Sequence, residues 1–319
     1  MDTGLQPKIR PAFTMLELVF VLVVLGIVAS IGAEILSQMY QSYLVQRAVH
    51  RASIKTELAS LQIANRLTYA IPDTIIARQA NAAGSPTKIF LPLDEADTSD
   101  SYPILQWIGE DIDGFTGRSA GNSAPGWSGF VDLDHSDFTQ RRLSTPGSQL
   151  TNIAEPIIQN LSAPHIRDLG NAALLFGGEN TYNARTVGYW TETTPNISGI
   201  FLVNGDFNNT TITLDSNQGG KRLSESYKLA WSSYAIVPIP ISGSEDFDLE
   251  LWYNFQPWRG VYINNPDVQK RTLIRNVSVF RFKSVGNSIR FKLCQREQIL
   301  PGNGSGTHIT ICKEKAVVR

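Results

Sequence analysis

Glu17 is the residue whose chemistry most needs a partner: from Phe13 to Ala33 it is the sole charged side chain in an otherwise apolar run. A carboxylate near a bilayer centre costs about 2.5 to 3.5 kcal/mol, so an acid at the start of such a run calls for an opposite charge nearby. Other candidate chemistry is thinner. The histidines His50, His135, His165 and His308 have neither metal-ligand spacing nor an evident nucleophile beside them. In Gly126-Trp127-Ser128-Gly129 the second glycine comes one residue too early for a nucleophile elbow. Gly220-Lys221 is followed by Arg222, with Asp215 upstream, which excludes a phosphate-cradling loop. No combination offers both a nucleophile and an oriented base, so catalysis is not expected.

Two acidic runs, Asp111-Ile112-Asp113-Gly114 and Asp132-Leu133-Asp134 with Asp137, carry oxygen ligands suited to calcium. Neither continues to the glutamate that an EF-hand loop requires, so solvated acidic turns are the simpler expectation and no cofactor or metal site is assigned. Charge is unevenly spread behind a net of -1. From Lys270 to the end there are eleven Lys/Arg against two acidic residues, and from Phe13 to Gln269 fifteen basic against twenty-six acidic. Arg281, Lys283, Arg290 and Lys292 could therefore contact nucleic-acid phosphates. The alternative is a charged sheet face that pairs with acidic neighbours, and it is preferred because no aromatic side chain stands clearly among these charges as a stacking platform.

The elements that must position these residues begin with the apolar run. Twenty-one helical residues at about 1.5 Å each reach roughly 30 Å, the hydrocarbon thickness of a bilayer. Lys8 and Arg10 precede the run, which keeps the short leader cytoplasmic and sends the rest of the chain across. An ordinary secretory signal cut after Ala33, with Ile31 at the other small-residue position, is the competing expectation.

The residues Arg10-Pro11-Ala12-Phe13-Thr14-Met15-Leu16-Glu17-Leu18 resemble the type IV prepilin cleavage and methylation motif. The resemblance implies a cut between Ala12 and Phe13 by a prepilin peptidase and N-methylation of Phe13. It also implies assembly through Glu17, whose carboxylate meets the cationic amine of a neighbouring subunit's Phe13. That pairing is physically sensible, because the amine is the new cation that cleavage creates. Two departures stand out: the family usually has Gly where this chain has Ala12, and many members carry a proline in the first helix, whereas here none precedes Pro72 except Pro7 and Pro11 of the leader.

From Gln38 to Arg66 the chain is polar and free of Pro and Gly, with Ile54, Leu58, Leu61 and Ala64 at three- and four-residue spacing. A continuous amphipathic helix is predicted, stopped by Pro72, with that stripe packed on the chain's own β-domain rather than in a coiled coil with a partner. Between Ala80 and Gly129 only Lys88 to Leu93 and Pro103 to Ile108 read as strands. Clearer strands are predicted at Thr186 to Trp190, Gly199 to Asn204, Thr210 to Leu214, Tyr227 to Pro238, Asp248 to Phe255 and Asn276 to Lys283. The parity of Val277 and Val279 against Phe280 and Phe282 predicts a bulge near Val279-Phe280.

Ile289, Phe291 and Leu293 alternate with Arg290, Lys292 and Cys294, and Ile309 and Ile311 with Thr310 and Cys312, around a hairpin tip at Gly302 to Gly306. Both cysteines thus fall on polar faces, and a Cys294–Cys312 disulfide closing this loop is expected to stabilise by about 3 kcal/mol.

The pieces Tyr227 to Trp231, Tyr234 to Val237, Leu249 to Tyr253 and Val277 to Phe282 are similar to the J-type minor pseudopilin of type II secretion. This resemblance implies a place in the small complex that starts and caps a pseudopilus. The expected fold class is α+β, a long N-terminal membrane-spanning helix packed on a mainly antiparallel β domain. The expected organisation is a leader at 1–12, a helix at 13–72 spanning the membrane over 13–36, a loop-rich insertion with short strands at 73–185, and a β-sheet domain at 186–319. Expected partners are other pilin-like subunits, a prepilin peptidase, an inner-membrane assembly platform and lipid. The expected location is the inner membrane, single-pass, with the C-terminal domain in the periplasm. The competing class is a membrane-anchored binding module or adhesin whose ligand-contacting loops lie between Asn81 and Gly178.

Overall fold

A computed structural model of the chain describes residues 14–96, 101–118, 121, 123–178, 182–189, 195–215, 221–299 and 308–318. Lys8 and Arg10 of the expected leader, Ala12 and Phe13, Trp190 and the expected hairpin tip at Gly302 to Gly306 lie outside the described residues. The described residues fall into two compact units, those within Met1–Arg51 and Gln298–Ile309 and those within Ala52–Glu297 and Thr310–Arg319.

Helix α1 runs without a break over Met15–Thr68. Among the described residues it is the one helix long and apolar enough to cross a membrane, and none of its apolar window is buried. It ends four residues before Pro72, because proline has no N–H to give the Thr68 carbonyl. The N–H groups of Tyr69 and Ala70 instead donate to the Arg66 and Leu67 carbonyls at 3.3 and 3.1 Å, and the N–H of Ile71 donates to Ile108 in the sheet at 2.9 Å.

Fourteen strands follow among the described residues: β1 (Ile76–Ala80), β2 (Pro86–Pro92), β3 (Ile104–Gly109), β4 (Asp132–Asp137), β5 (Arg142–Ser144), β6 (Ala173–Phe176), β7 (Phe201–Asn208), β8 (Thr211–Leu214), β9 (Tyr227–Ala230), β10 (Ser232–Pro240), β11 (Phe247–Phe255), β12 (Gln269–Val285), β13 (Ser288–Gln298) and β14 (His308–Val318). Helices α2 (Ile112–Thr116) and α3 (Glu155–Ser162) are short. The strands form an eight-stranded antiparallel sheet, ordered β14-β13-β12-β11-β10-β3-β1-β2, and a six-stranded one, ordered β4-β5-β8-β7-β6-β9. The fold is α+β, a long N-terminal helix followed by antiparallel sheets.

Apolar faces sort these layers. Ala59, Ile63 and Leu67 of α1 share a core with Leu249, Leu251, Phe280, Phe291 and Leu293 of the larger sheet. The smaller sheet closes over Trp127, Leu150, Ile158 and Phe176. Ile71, Ile76 and Ile108 meet Leu175, Leu202, Tyr189 and Trp258 in a third cluster that joins the two sheets.

Two predicted strands are corrected. The Tyr227 to Pro238 strand is two strands: β9 pairs with β6, and after Trp231 β10 pairs with β3 and β11, so the chain changes sheets at that residue. Thr186 to Tyr189 is a turn in spite of its buried Val187 and Tyr189. Gly188 there has a φ of +89°, and a Cβ on it would meet the Trp258 backbone at 2.7 Å, so the segment cannot run as an ordinary strand. Residues 73–185 carry six short strands that pair into both sheets, β3 pairing with β10 from Gly109↔Ser232 to Leu105↔Ile236. The bulge lies one step from its expected place, between Val277 and Val279, which pair with Gln295 and Cys294. It turns both Val277 and Phe280 into the core.

Candidate functional site

The first turn of α1 is closed by its own residues. Thr14 sits before the helix, and its N–H and Oγ1 both donate to Glu17 Oε2, at 3.0 and 2.9 Å, while the Glu17 N–H donates to Thr14 Oγ1 at 3.4 Å. This is the reciprocal capping box that Thr-x-x-Glu encodes, and it satisfies two donors that a helix start otherwise leaves open. The carboxylate is exposed, and Oε1 takes no partner among the described residues. Ala12 and Phe13, the processing residues of the sequence analysis, lie outside the described residues, so the amine–carboxylate pair has no geometry here.

Farther along α1 the buried stripe differs from the predicted one. Ala52, Thr56, Ala59, Ser60, Ile63 and Leu67 face the sheet, whereas Ile54, Leu58 and Leu61 are 46, 56 and 41% exposed and Ala64 is half-buried. Small side chains at 52, 59 and 60 let this part of the helix lie close on the sheet, Ile63 and Leu67 fill the core farther on, and Ile54, Leu58 and Leu61 are turned outward. Polar contacts fix this rotation. Lys55 Nζ stands 3.1 Å from Glu297 Oε2, and Glu57 takes Lys315 at 2.6 Å and Lys313 at 3.6 Å. The Lys315 hydrogen bond, ahead of its charge, holds the Glu57 carboxyl below its usual range.

At the far edge of the larger sheet Cys294 and Cys312 form the expected disulfide, with Cα atoms 4.0 Å apart. Their environments are unequal. Cys294, on the interior strand β13, is 2% exposed, while Cys312 is exposed on the edge strand β14. The expectation that both cysteines occupy polar, open faces therefore holds for Cys312 alone.

Beside the disulfide the structure brings the four basic candidates together. Arg281 pairs across the strands with Lys292 and Lys283 with Arg290, so like charges stand directly opposite in two successive exposed pairs. Such pairs destabilise a sheet. Glu314 lies 3.3 Å from Lys292. With Phe282, Phe291, Lys315 and Ala316 these residues line a groove of about 480 Å³.

The remaining candidates do not converge. His135 Nδ1 is 2.7 Å from Asp132 and His165 Nδ1 is 3.5 Å from Asp267, while the Ser128 hydroxyl is bonded to the Ser148 hydroxyl at 3.1 Å. The acidic runs are engaged in local turns. Asp132 Oδ1 accepts the N–H groups of Asp134 and His135, Asp137 Oδ1 those of Thr139 and Gln140, and Asp111 Oδ1 caps α2 through Gly114. No group of three His, Cys, Asp or Glu among the described residues is placed to hold a metal ion. Asp111 is nonetheless unusual. It is buried, its Oδ2 has no partner in hydrogen-bond geometry among the described residues, and burial, above all else, pushes its carboxyl up to about 7.

Sequence reasoning missed Thr14, although Thr-x-x-Glu before an apolar run was a signal for it. It also missed the buried Arg78, for which an Ala-Arg-Gln strand segment gives no signal. Comparison of the chain with protein-family models, with curated proteins and with solved structures gives no match.

Proposed function

We propose that this chain is a structural subunit of a type IV filament or of a type II secretion pseudopilus, made as a precursor and cut between Ala12 and Phe13. The observation that carries the reading is the start of α1. An acid stands in the first turn of a 54-residue helix whose apolar stretch none of the other described residues buries. Lipid covers such a surface before assembly, and the helices of neighbouring subunits cover it afterwards. The exposed Ile54, Leu58 and Leu61 continue to offer apolar surface beyond the span, which favours contact with a partner helix. On this reading the chain is single-pass in the inner membrane with its sheets in the periplasm. Its partners are a prepilin peptidase, an assembly platform and other pilin-like subunits. The resemblance of the pieces on β9 to β12 to the J-type minor pseudopilin supports a place in a secretion pseudopilus, alongside the type IV filament.

Mass spectrometry of the N-terminal peptide of the mature protein tests the processing step. The expected peptide begins with N-methylated Phe13, and a mature protein beginning at Glu34, or an uncut one, refutes it. Glu17→Ala is expected to leave the protein in the membrane but out of filaments, and normal incorporation of that variant would end the reading.

A second reading has one observation in its favour, the two like-charged cross-strand pairs on β12 and β13. They suit a polyanion, nucleic acid for a subunit that takes up DNA, or an acidic surface of a partner subunit. Duplex DNA binding whose affinity falls steeply with salt separates the first of these from the second.

A further inference from the structure

A cation is buried where none of the described residues supplies an anion for it. Arg78, on β1 between β2 and β3, is 4% exposed. Its Nε donates to Gln106 Oε1 and its Nη1 to the Thr87 carbonyl, both at 2.7 Å, and its guanidinium lies 5.4 Å from the centre of the Phe90 ring. All these partners are neutral, and no carboxylate among the described residues stands within ion-pair distance. Burial lowers its pKa to about 10, so it remains charged at neutral pH. Nη2 makes no hydrogen bond among the described residues, yet it is not among the sealed, unpartnered polar atoms, so it keeps an opening.

That opening is a cavity of about 270 Å³ lined by Arg78, Thr87, Lys88, Gln106, Tyr262 and the pair Asn264 and Asn265, with Pro257 and Ile263 as its apolar part. None of its described lining side chains is acidic, and Arg78 is the buried cation among them. Two donated hydrogen bonds fix the neighbours: Asn264 Nδ2 to the Pro86 carbonyl at 2.8 Å, and the Asp267 N–H to Asn265 Oδ1 at 2.9 Å. The Asn265 amide is thereby oriented, with its Nδ2 left as a donor. A buried charge is tolerable when paired, and a guanidinium fork matches the two oxygens of a carboxylate or phosphate.

We propose that this cavity binds a small oxyanion, a carboxylate or phosphate group on a compact polar body, with Arg78 as its charge partner and Asn265 as a second donor. The volume lies just under the range of about 300 to 1,000 Å³ of drug-sized ligand sites, which limits the ligand to a small one. The proposal is independent of the pilin-like reading, since its residues lie on β1, β2 and β3 and in the connection between β11 and β12, outside the apolar run of α1.

The test uses the full chain in detergent at constant ionic strength set with chloride. It is titrated with inorganic phosphate, with glucuronate and, as an uncharged control, with glucose, by calorimetry and by the thermal midpoint of tryptophan emission. Saturable binding of phosphate, of glucuronate or of both, with none of glucose, is the expected result, and which anion binds names the source of the oxyanion. Arg78→Lys keeps the charge but loses the fork and should weaken binding about tenfold, and Arg78→Met should abolish it. Should Arg78 variants fail to fold, Asn265→Asp retains the acceptor for Asp267 while placing a like charge in the cavity, and should also weaken binding about tenfold or more. Absence of binding by both anions overturns the proposal, as does binding unchanged by Asn265→Asp or by a folded Arg78→Met.

Discussion

Asp111 ties the stability of the sheets to pH in a direction opposite to that of most carboxylates. Its Oδ1 caps α2 through the Gly114 N–H at 3.1 Å, its backbone N–H reaches the Leu229 carbonyl at 2.8 Å, and Oδ2 is buried with no partner in hydrogen-bond geometry among the described residues. Desolvation raises the carboxyl from 3.8 to about 7 in the folded protein. Between those two values the unfolded chain has released this proton and the folded chain still holds it, so stability falls as pH rises through the window. At about 1.4 kcal/mol per pKa unit the shift corresponds to roughly 4 kcal/mol lost by pH 8, an upper figure for a single buried acid. Asp111→Asn keeps the oxygen that caps α2 and removes the proton linkage. Urea unfolding of the full chain in detergent, followed by tryptophan fluorescence from pH 4 to pH 8, isolates the effect as the difference between variant and parent. Carboxylates shifted elsewhere, such as Glu57, cancel in that difference. The variant is expected to gain on the parent steadily with rising pH, by up to about 4 kcal/mol across the range. A difference that stays constant with pH would refute the reasoning.

Breaking the disulfide with Cys294→Ser and Cys312→Ser together should cost about 3 kcal/mol in chemical unfolding, because the bond closes a loop of sequence separation 18. Leu58→Asp, on the exposed side of α1, should change the unfolding free energy by less than about 0.5 kcal/mol while reducing co-purification of partner subunits. Ala59→Leu, one residue on but facing the sheet, should destabilise by about 1 to 3 kcal/mol through overpacking. Lys283→Glu replaces the like-charged pair with Arg290 by an opposite one, and should stabilise by about 0.2 to 1 kcal/mol in thermal unfolding while weakening any polyanion binding.

The parts of this fold that were legible in sequence are those set by local periodicity. The helix could be read from an uninterrupted apolar run and a proline-free continuation, and the strands from Asp248 onward from strict alternation. Cys294 and Cys312 could be paired because each sits at a known parity of adjacent strands. What local pattern could not give was the identity of the neighbour. Large side chains at 54, 58 and 61 look like a core stripe until the facing sheet is seen to accept Ala52, Ala59 and Ser60 instead. The Tyr227 to Pro238 run has one continuous β character, and its division at Trp231 depends on two sheets competing for its halves. Likewise Arg78 and Gln106 are 28 positions apart, so the buried amide that holds the guanidinium could not be anticipated from either segment.

The capping box at the start of α1 bears directly on how Glu17 could serve assembly. Both bonds from Thr14 converge on Oε2, so the helix start is satisfied by one carboxylate oxygen while Oε1 is left open. A glutamate whose role ended with capping would do so equally well in water, and the capping geometry alone would not call for the apolar run around it. In lipid the same group still carries a full charge that hydrogen bonds from Thr14 reduce but do not neutralise. Under the proposed reading the two functions divide between the oxygens: Oε2 holds the side chain folded back over the first turn, and Oε1 is presented at a fixed place to an incoming amine. Prior orientation lowers the entropy lost when the pair forms. Thr14→Ala should therefore slow incorporation into filaments yet still permit it, whereas Glu17→Gln, which keeps most of the capping bonds but not the charge, should block it. Equal incorporation of Glu17→Gln and parent would show that capping, and not charge, is what the residue supplies.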